Sequence, residues 1–256
     1  MTDRKLKIDV RRNKILELLR AEGTVLVSQL SRELGATPVT IRSDLEALEQ
    51  TGQLVRIQGG AIPAGRGTAQ PQTPPIRCPE EKQAIARAAA ALIRDGDTLI
   101  INSGTTSQMV ARALSGHRNL NIVTNSFAVC TDLGEIPSFR VLLLGGEVNA
   151  QHGFTFGGDA MEQLRRYRAD WVLLSVDGVS RQGGLTTCHA EEAALNRLMM
   201  EQGRQALVVA DHTKIGQPGF THICPVGAGL HLVTDGKADP KALDELAQTG
   251  LSVTIC

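Results

Sequence analysis

The stretch Thr37-Pro38-Val39-Thr40-Ile41-Arg42-Ser43-Asp44-Leu45-Glu46-Ala47-Leu48 decides how the first part of the chain is read. Threonine before proline is a preferred helix opening. The hydroxyl caps a free amide, and proline at the first helical position gives up an N–H that would have no helical acceptor there. Ile41, Leu45 and Leu48 then recur at helical spacing as a buried stripe, and Gly52 closes the helix. With these three facing inward, Val39, Thr40, Arg42 and Ser43 project outward from the amino-terminal half.

Working outward, Ile8, Ile15, Leu16 and Leu19 mark an earlier amphipathic helix that ends near Gly23. Val27, Leu30 and Leu34 give a short second helix terminated by Gly35, although neither Leu26 nor Val27 is a capping residue. Two short helices joined by a tight glycine-containing turn make a helix-turn-helix. Residues 53–57 read as a strand and Gly59-Gly60 as the turn of a wing. In that arrangement the third helix presents Val39, Thr40, Arg42 and Ser43 to the major groove. Arg42 suits a bidentate pair with a guanine edge, and the helix start at Thr37 favours a nearby phosphate. Arg56, Gln58 and Gly59 would reach the DNA backbone or minor groove from the wing. Asp44, Glu46 and Glu49 argue the other way, toward a three-helix domain that packs against protein.

Composition sets the frame. The 256 residues leave room for one large or two modest domains. Hydrophobic residues at 42% and charged residues at 21% describe a globular chain. Lys+Arg and Asp+Glu are 27 each, so net charge draws the whole molecule to neither nucleic acid nor membrane. The basic side chains are concentrated at the start: Arg4, Lys5, Lys7, Arg11, Arg12, Lys14 and Arg20. Such a head is either a phosphate-binding face or an ordinary solvated helix face. No apolar run approaches the roughly 18 residues of a membrane span, and the start lacks the apolar core of a signal peptide, so a cytoplasmic protein is expected. Five cysteines, none in a Cys-x-x-Cys pair, read as reduced thiols without a zinc or disulfide framework. His189 beside Cys188 has no partner set, and no metal is expected.

Pro63, Pro71, Pro74, Pro75 and Pro79, with Gly65 and Gly67, interrupt all periodicity. A linker over 63–78 therefore separates a domain at 1–62 from one at 79–256. The second begins with an alanine-rich helix running to about Arg94. Candidate strands at 98–102, 121–125, 140–144, 171–176, 206–210, 231–234 and 252–256 alternate with helical patterns that include 106–114, 161–168, 191–202 and 240–248. Leu/Ile/Val strands alternating with helices predict an α/β domain with a mainly parallel sheet covered on both faces. Ligands bind such sheets at the carboxyl ends of the strands. The P-loop, dinucleotide, nucleophile-elbow and His-Glu-x-x-His patterns are absent from the sequence. Asn102-Ser103-Gly104-Thr105-Thr106 stands between a strand and a helix. It is either a hydroxyl-rich anion cradle or a plain capped turn.

Residues 25–44, followed by Leu45-Glu46-Ala47-Leu48-Glu49 and Leu54-Val55-Arg56-Ile57-Gln58-Gly59-Gly60-Ala61, resemble the amino-terminal domain of the DeoR family of bacterial transcriptional repressors. Thr40-Ile41-Arg42-Ser43-Asp44-Leu45 matches that family's Thr-Ile-Arg-Arg-Asp-Leu except at Ser43, and Gln58 replaces its histidine. The resemblance continues through Glu81-Lys82, Asp95-Gly96-Asp97-Thr98, Ser103-Gly104-Thr105-Thr106, Val123-Thr124-Asn125-Ser126, Gly145-Gly146, Asp177-Gly178-Val179, Gly184-Leu185-Thr186-Thr187, Glu192 and Asp211-His212-Thr213-Lys214. It implies a sensor domain similar in fold to ribose-5-phosphate isomerase that binds a phosphorylated sugar or sugar-derived metabolite. The loop Ser103, Gly104, Thr105 and Thr106 would take the phosphate. Asn125, Asp177, Glu192 and Lys214 would line the sugar end, with Asn102 and Gly145 beside them. Asn102 and Asn196 stand where the family usually has aspartate and lysine.

The reading is a winged helix-turn-helix repressor of a carbohydrate-utilisation operon. Its partners are double-stranded operator DNA, a phosphorylated sugar effector and further copies of itself as a dimer or tetramer, with no cofactor and no membrane. The alternative is an enzyme, a sugar-phosphate isomerase with a nucleic-acid tether, for which Asp177, Glu192, Asp211 and Lys214 would shuttle protons. A third reading is a protein-interaction module on an α/β scaffold.

Overall fold

The computed structural model describes residues 2–57, 59–63 and 76–256. Gln58, residues 64–75 of the expected linker, and the side chains of Arg4, Lys5, Lys7 and Arg20 lie outside the described residues. The chain divides into two compact units, Met1–Pro75 and Ile76–Cys256.

In the first unit, α1 (Thr2–Glu22) is followed by β1 (Val25–Leu26), α2 (Val27–Glu33), α3 (Pro38–Gln50), β2 (Leu54–Ile57) and β3 (Gly60–Pro63). Ile15, Leu19, Leu30, Ile41, Leu45 and Leu54 meet in one core and are almost fully buried. Helix α3 opens as its sequence dictates, with the Thr40 amide donating to Thr37 Oγ1 at 3.2 Å. Helix α2 has no side-chain cap. Its start is fixed by the strand ahead of it: β1 pairs with β3 in a three-stranded sheet, and the Val27 amide donates to the Gly59 carbonyl at 2.8 Å. That strand is invisible to periodicity because it is two residues long. It also explains Gly60, where a Cβ would stand 2.1 Å from the Val25 carbonyl oxygen.

The second unit begins with α4 (Pro79–Ala90), shorter than its alanine-rich pattern predicts, then β4 (Thr98–Ile101), α5 (Thr105–Ala113), β5 (Asn121–Thr124), α6 (Phe127–Gly134) and β6 (Arg140–Leu143). A hairpin follows, β7 (Glu147–Asn149) with β8 (Phe154–Phe156), then α7 (Gly158–Leu164) and β9 (Ala169–Ser175). After β10 (Gly178–Ser180), β11 (Gly184–Thr187), α8 (Ala190–Gln202) and β12 (Gly203–Val209) come β13 (Thr221–Cys224), β14 (Leu230–Thr234), α9 (Pro240–Ala247) and β15 (Ser252–Ile255). The seven strands expected from apolar runs are the seven of one sheet, ordered β15-β14-β12-β9-β4-β5-β6 with every neighbouring pair parallel. Alternate residues of each strand enter different cores. Leu99, Ile101, Leu173 and Leu207 pack with α4, α5 and α6, while Ile100, Val172, Leu174 and Val208 pack with α7, α8 and α9.

Chain order in this sheet positions the site. From β4 the chain moves outward through β5 and β6, then returns to the other flank of β4 as β9 and continues outward through β12, β14 and β15. The reversal falls between β4 and β9. Loops leaving the carboxyl ends of these two strands diverge and open a crevice.

Candidate functional site

On the first unit, the exposed end of α3 carries Thr37, Val39, Arg42 and Ser43, with Thr40 half-buried. Val39 is 72% exposed, a large apolar side chain in water. Thr40 shares its hydroxyl with Thr37 at 2.9 Å. Arg42 makes no ion pair among the described residues. Two of the three acids that argue against a nucleic-acid face are paired with arginines. Asp44 is 2% exposed and receives Arg11 Nε at 2.5 Å and Arg12 Nε at 3.1 Å. Glu49 accepts the Arg56 amide at 2.9 Å, with the Arg56 guanidinium 3.9 Å from its other oxygen. Of the three acids, Glu46 alone is exposed without such a partner among the described residues. In the wing Gly59 turns at φ 83° between β2 and β3. Two of the seven basic residues at the start, Arg11 and Arg12, thus serve the fold by tying α1 to α3.

In the second unit, the loop after β4 enters α5 through Gly104, whose φ of 137° is in the region open to glycine and whose Cβ would meet Ser175 at 2.8 Å. No side chain caps α5, so its first-turn amides have no acceptor inside the helix. The Ser103 amide donates to Asn125 Oδ1 at 3.1 Å, and Asn125 Nδ2 donates to the Thr155 carbonyl at 3.0 Å. Ser103 Oγ donates to Glu192 Oε1 at 2.8 Å. Glu192 Oε2 accepts from Thr187 Oγ1 at 2.8 Å, which lies 3.2 Å from Asp177 Oδ2. Lys214 Nζ reaches Asp177 Oδ1 at 3.4 Å, closing a continuous network from the loop to the turn that follows β12. Burial pushes the Asp177 carboxyl up. Lys214 and the Cys188 amide, which donates at 2.9 Å, outweigh that and hold it below the ordinary aspartate value.

Two expected residues stand apart. Asn102 is fully buried, and its donors and acceptors are all used: Nδ2 to the Ser175 carbonyl and Asn196, Oδ1 from Ser107 Oγ and the Ser175 amide. It anchors β4 to β9 beneath the loop and has no free group for a ligand, contrary to the sequence reading. Gly145 has its amide bonded to Gln163 Oε1 at 3.0 Å and supplies no free donor.

One residue was missed. Lys82 of α4 is 7% exposed, with Nζ 3.1 Å from Thr105 Oγ1 and 3.5 Å from Asp211 Oδ2. The buried ammonium and the uncapped helix amides bring hydrogen-bond donors together at the loop, with the Asp211 carboxylate balancing part of the ammonium's charge. The sequence signal was Glu81-Lys82 in the family pattern, but only the fold brings α4 to the start of α5. A groove of about 250 Å³ also exists, lined by Thr98, Asn121, Arg140 and Ala169. These are first residues of strands, so it lies at the end of the sheet opposite the crevice.

Comparison with known proteins follows the same division. Residues 11–64 match the DeoR-like helix-turn-helix domain, and residues 77–236 match the DeoR C terminal sensor domain. The chain belongs to the DeoR family. It is 30% identical over 252 residues to the glycerol-3-phosphate regulon repressor of Escherichia coli, spanning 98% of this chain and 100% of that one. It is 34% identical to the HTH-type transcriptional repressor CsqR of the same species, covering 93% and 91%. Among solved structures, ribose 5-phosphate isomerase of Methanocaldococcus jannaschii aligns over 52% of each chain at 15% identity and a TM-score of 0.38. This DeoR-family chain is a DNA-binding transcriptional regulator with a sensor domain. None of its described helices is long and apolar enough to cross a membrane.

Proposed function

We propose that this protein represses a carbohydrate-utilisation operon, holding operator DNA through α3 and the wing. A phosphorylated sugar or sugar-derived metabolite bound at the crevice controls that hold. The observation that carries the reading is the uncapped start of α5 with the buried Lys82 ammonium beside Thr105. Backbone amides and one cation favour a phosphate there. Ser103, Asn125, Asp177, Glu192 and Lys214 present the alternating acceptors and donors that sugar hydroxyls need. Control of DNA binding requires a coupling of about 1–3 kcal/mol between the two sites. A homo-oligomer supplies paired readers for paired half-sites, and both partners belong to the cytoplasm.

The protein acts as a sensor and not as an enzyme in this reading. Glu192 accepts two hydroxyl hydrogen bonds and Asp177 is paired with Lys214. Carboxylates so engaged are poor bases toward a substrate carbon and good acceptors for its hydroxyls. The test is a thermal-shift series with sugars and their phosphates. At 100 times the dissociation constant a ligand adds about 2.7 kcal/mol, and the phosphates should stabilise where the free sugars do not. Equal response to both would move recognition away from the α5 cradle. Exchange of the proton beside the carbonyl in deuterated water, lost in Glu192→Gln, would establish the isomerase alternative instead.

A further inference from the structure

We propose that Cys78, Asp211 and His212 form a binding site for a borderline transition-metal dication such as Zn²⁺. One donor atom from each lies within 4.8 Å of the other two. A thiolate, an imidazole and a carboxylate make a donor set that such ions prefer. Three protein ligands leave the fourth tetrahedral position to water. Small rotamer changes bring atoms this close onto one ion.

A second observation concerns His212. Its Nδ1 lies 3.0 Å from Asp235 Oδ1, and its backbone amide donates to Asp235 Oδ2 at 2.7 Å. Asp235 is 3% exposed and is held in turn by the Lys237 amide at 3.0 Å. A buried carboxylate accepting from Nδ1–H leaves the imidazole lone pair on Nε2. This is the carboxylate–histidine arrangement that orients metal-binding imidazoles. Asp211 is held by the Thr213 amide on Oδ1 at 3.0 Å, and an ion bound at Oδ2 would displace the Lys82 ammonium that stands 3.5 Å from it. Cys78 completes the set from the turn before α4, held in the left-handed region at φ 53°.

Binding exchanges the thiol proton, released to solvent, for a metal–sulfur bond, with no change of oxidation state. Sequence spacing concealed the site because Cys78 is remote in the chain from Asp211-His212. The packing of α4 against β12 and β14 brings them together.

The experiment titrates the full-length protein with Co²⁺, a spectroscopic substitute for Zn²⁺. The expected result is a thiolate-to-cobalt absorption band in the near ultraviolet that saturates at one ion per chain and is displaced by Zn²⁺. Cys78→Ser abolishes the band, whereas Cys188→Ser, which removes an exposed thiol elsewhere, leaves it intact. Asp235→Asn, which touches no ligand atom of the set except through His212, weakens cobalt affinity about 10–100-fold. No band in the parent protein, or a band unchanged in Cys78→Ser, overturns the proposal.

Discussion

Asn102 donates through Nδ2 to Asn196 Oδ1 at 3.3 Å, and both side chains are completely buried. The family resemblance implies an aspartate and a lysine at these two positions, and their contact makes the two departures a single pair to test. Two amides that meet satisfy each other in part, as an acid and a base do. A mixed pair leaves a buried charge without its counter-ion. Asn196 Nδ2 has no partner, the residual penalty of the amide version. Asn102→Asp and Asn196→Lys should each destabilise the sensor domain by about 3–5 kcal/mol. The double variant should recover part of that loss, with a coupling of about 0.5–3 kcal/mol. Denaturant unfolding of the four proteins measures it, and simple additivity would separate the two positions.

Asp44 shows a different use of a buried acid. It holds Arg11 and Arg12 of α1 against α3, and both arginines keep partial contact with water. Asp44→Asn should therefore destabilise the winged-helix unit by about 1–3 kcal/mol and leave the sensor unit's transition unmoved. Calorimetry of the full chain separates the two. An unchanged first transition would mean that the apolar stripe alone fixes α1.

Arg42→Ala acts on the surface and not on the fold. It should weaken specific operator binding by about 1–3 kcal/mol and non-specific binding much less. Leu45→Ala, by contrast, removes core from a fully buried position and should cost about 2–5 kcal/mol of stability. Gel-shift titrations at one salt concentration, beside melting curves, distinguish them. Operator affinity at the parental level in the arginine variant would remove α3 as the reader.

Apolar periodicity made most of this architecture legible. The stripe Ile41, Leu45, Leu48 and the five inner strands of the sheet bury on schedule, because in a parallel sheet both faces are covered and burial selects the residues, while the edge strands β6 and β15 are only partly covered. Elements stabilised by pairing were not legible. The strands of β1, of the β7–β8 hairpin and of the β10-β11-β13 sheet are too short to show a period, and β1 and β13 pair with strands distant in sequence. The site divides along the same line. Ser103 to Thr106 announce themselves locally as a hydroxyl-rich helix start. Lys82 does not, since a lysine in an alanine-rich helix reads as solvated until α4 is docked beside α5. Asn102 errs in the other direction: adjacency to the loop suggests a ligand contact, and burial makes it a girder.

Acid should reveal the Asp177–Lys214 pair. Asp177 has its carboxyl held below the ordinary 3.8. A depressed folded value stabilises the native state fully above the unfolded value, and the effect is lost as pH falls through the folded one. The melting temperature of Asp177→Asn should lie below that of the parent by a constant margin from neutrality to about pH 4. Below that the margin should shrink. A margin unchanged by acid would mean that the ion pair contributes nothing to stability.

The crevice is tested by reversing its charge. Thr105→Asp places a carboxylate where the α5 amides and Lys82 favour an anion, and the Lys82 ammonium 3.1 Å from the native hydroxyl then becomes a partner for the new carboxylate. Lys82→Met removes the cation and keeps the length of the side chain. Both changes lie in the sensor unit, whereas α3 and the wing lie in the other, so operator binding should survive in each. Stabilisation by phosphorylated sugars should vanish in Thr105→Asp and fall at least tenfold in apparent affinity in Lys82→Met, which loses one charge-assisted contact of about 1.5–3 kcal/mol. The two variants fail for different reasons, repulsion in one and lost attraction in the other. Added salt should therefore narrow the gap between Lys82→Met and the parent more than it rescues Thr105→Asp, where the pocket itself is filled. Thermal shift against phosphate ester at two salt concentrations reads this out. A parental response in both variants would place the phosphate elsewhere in the sensor unit.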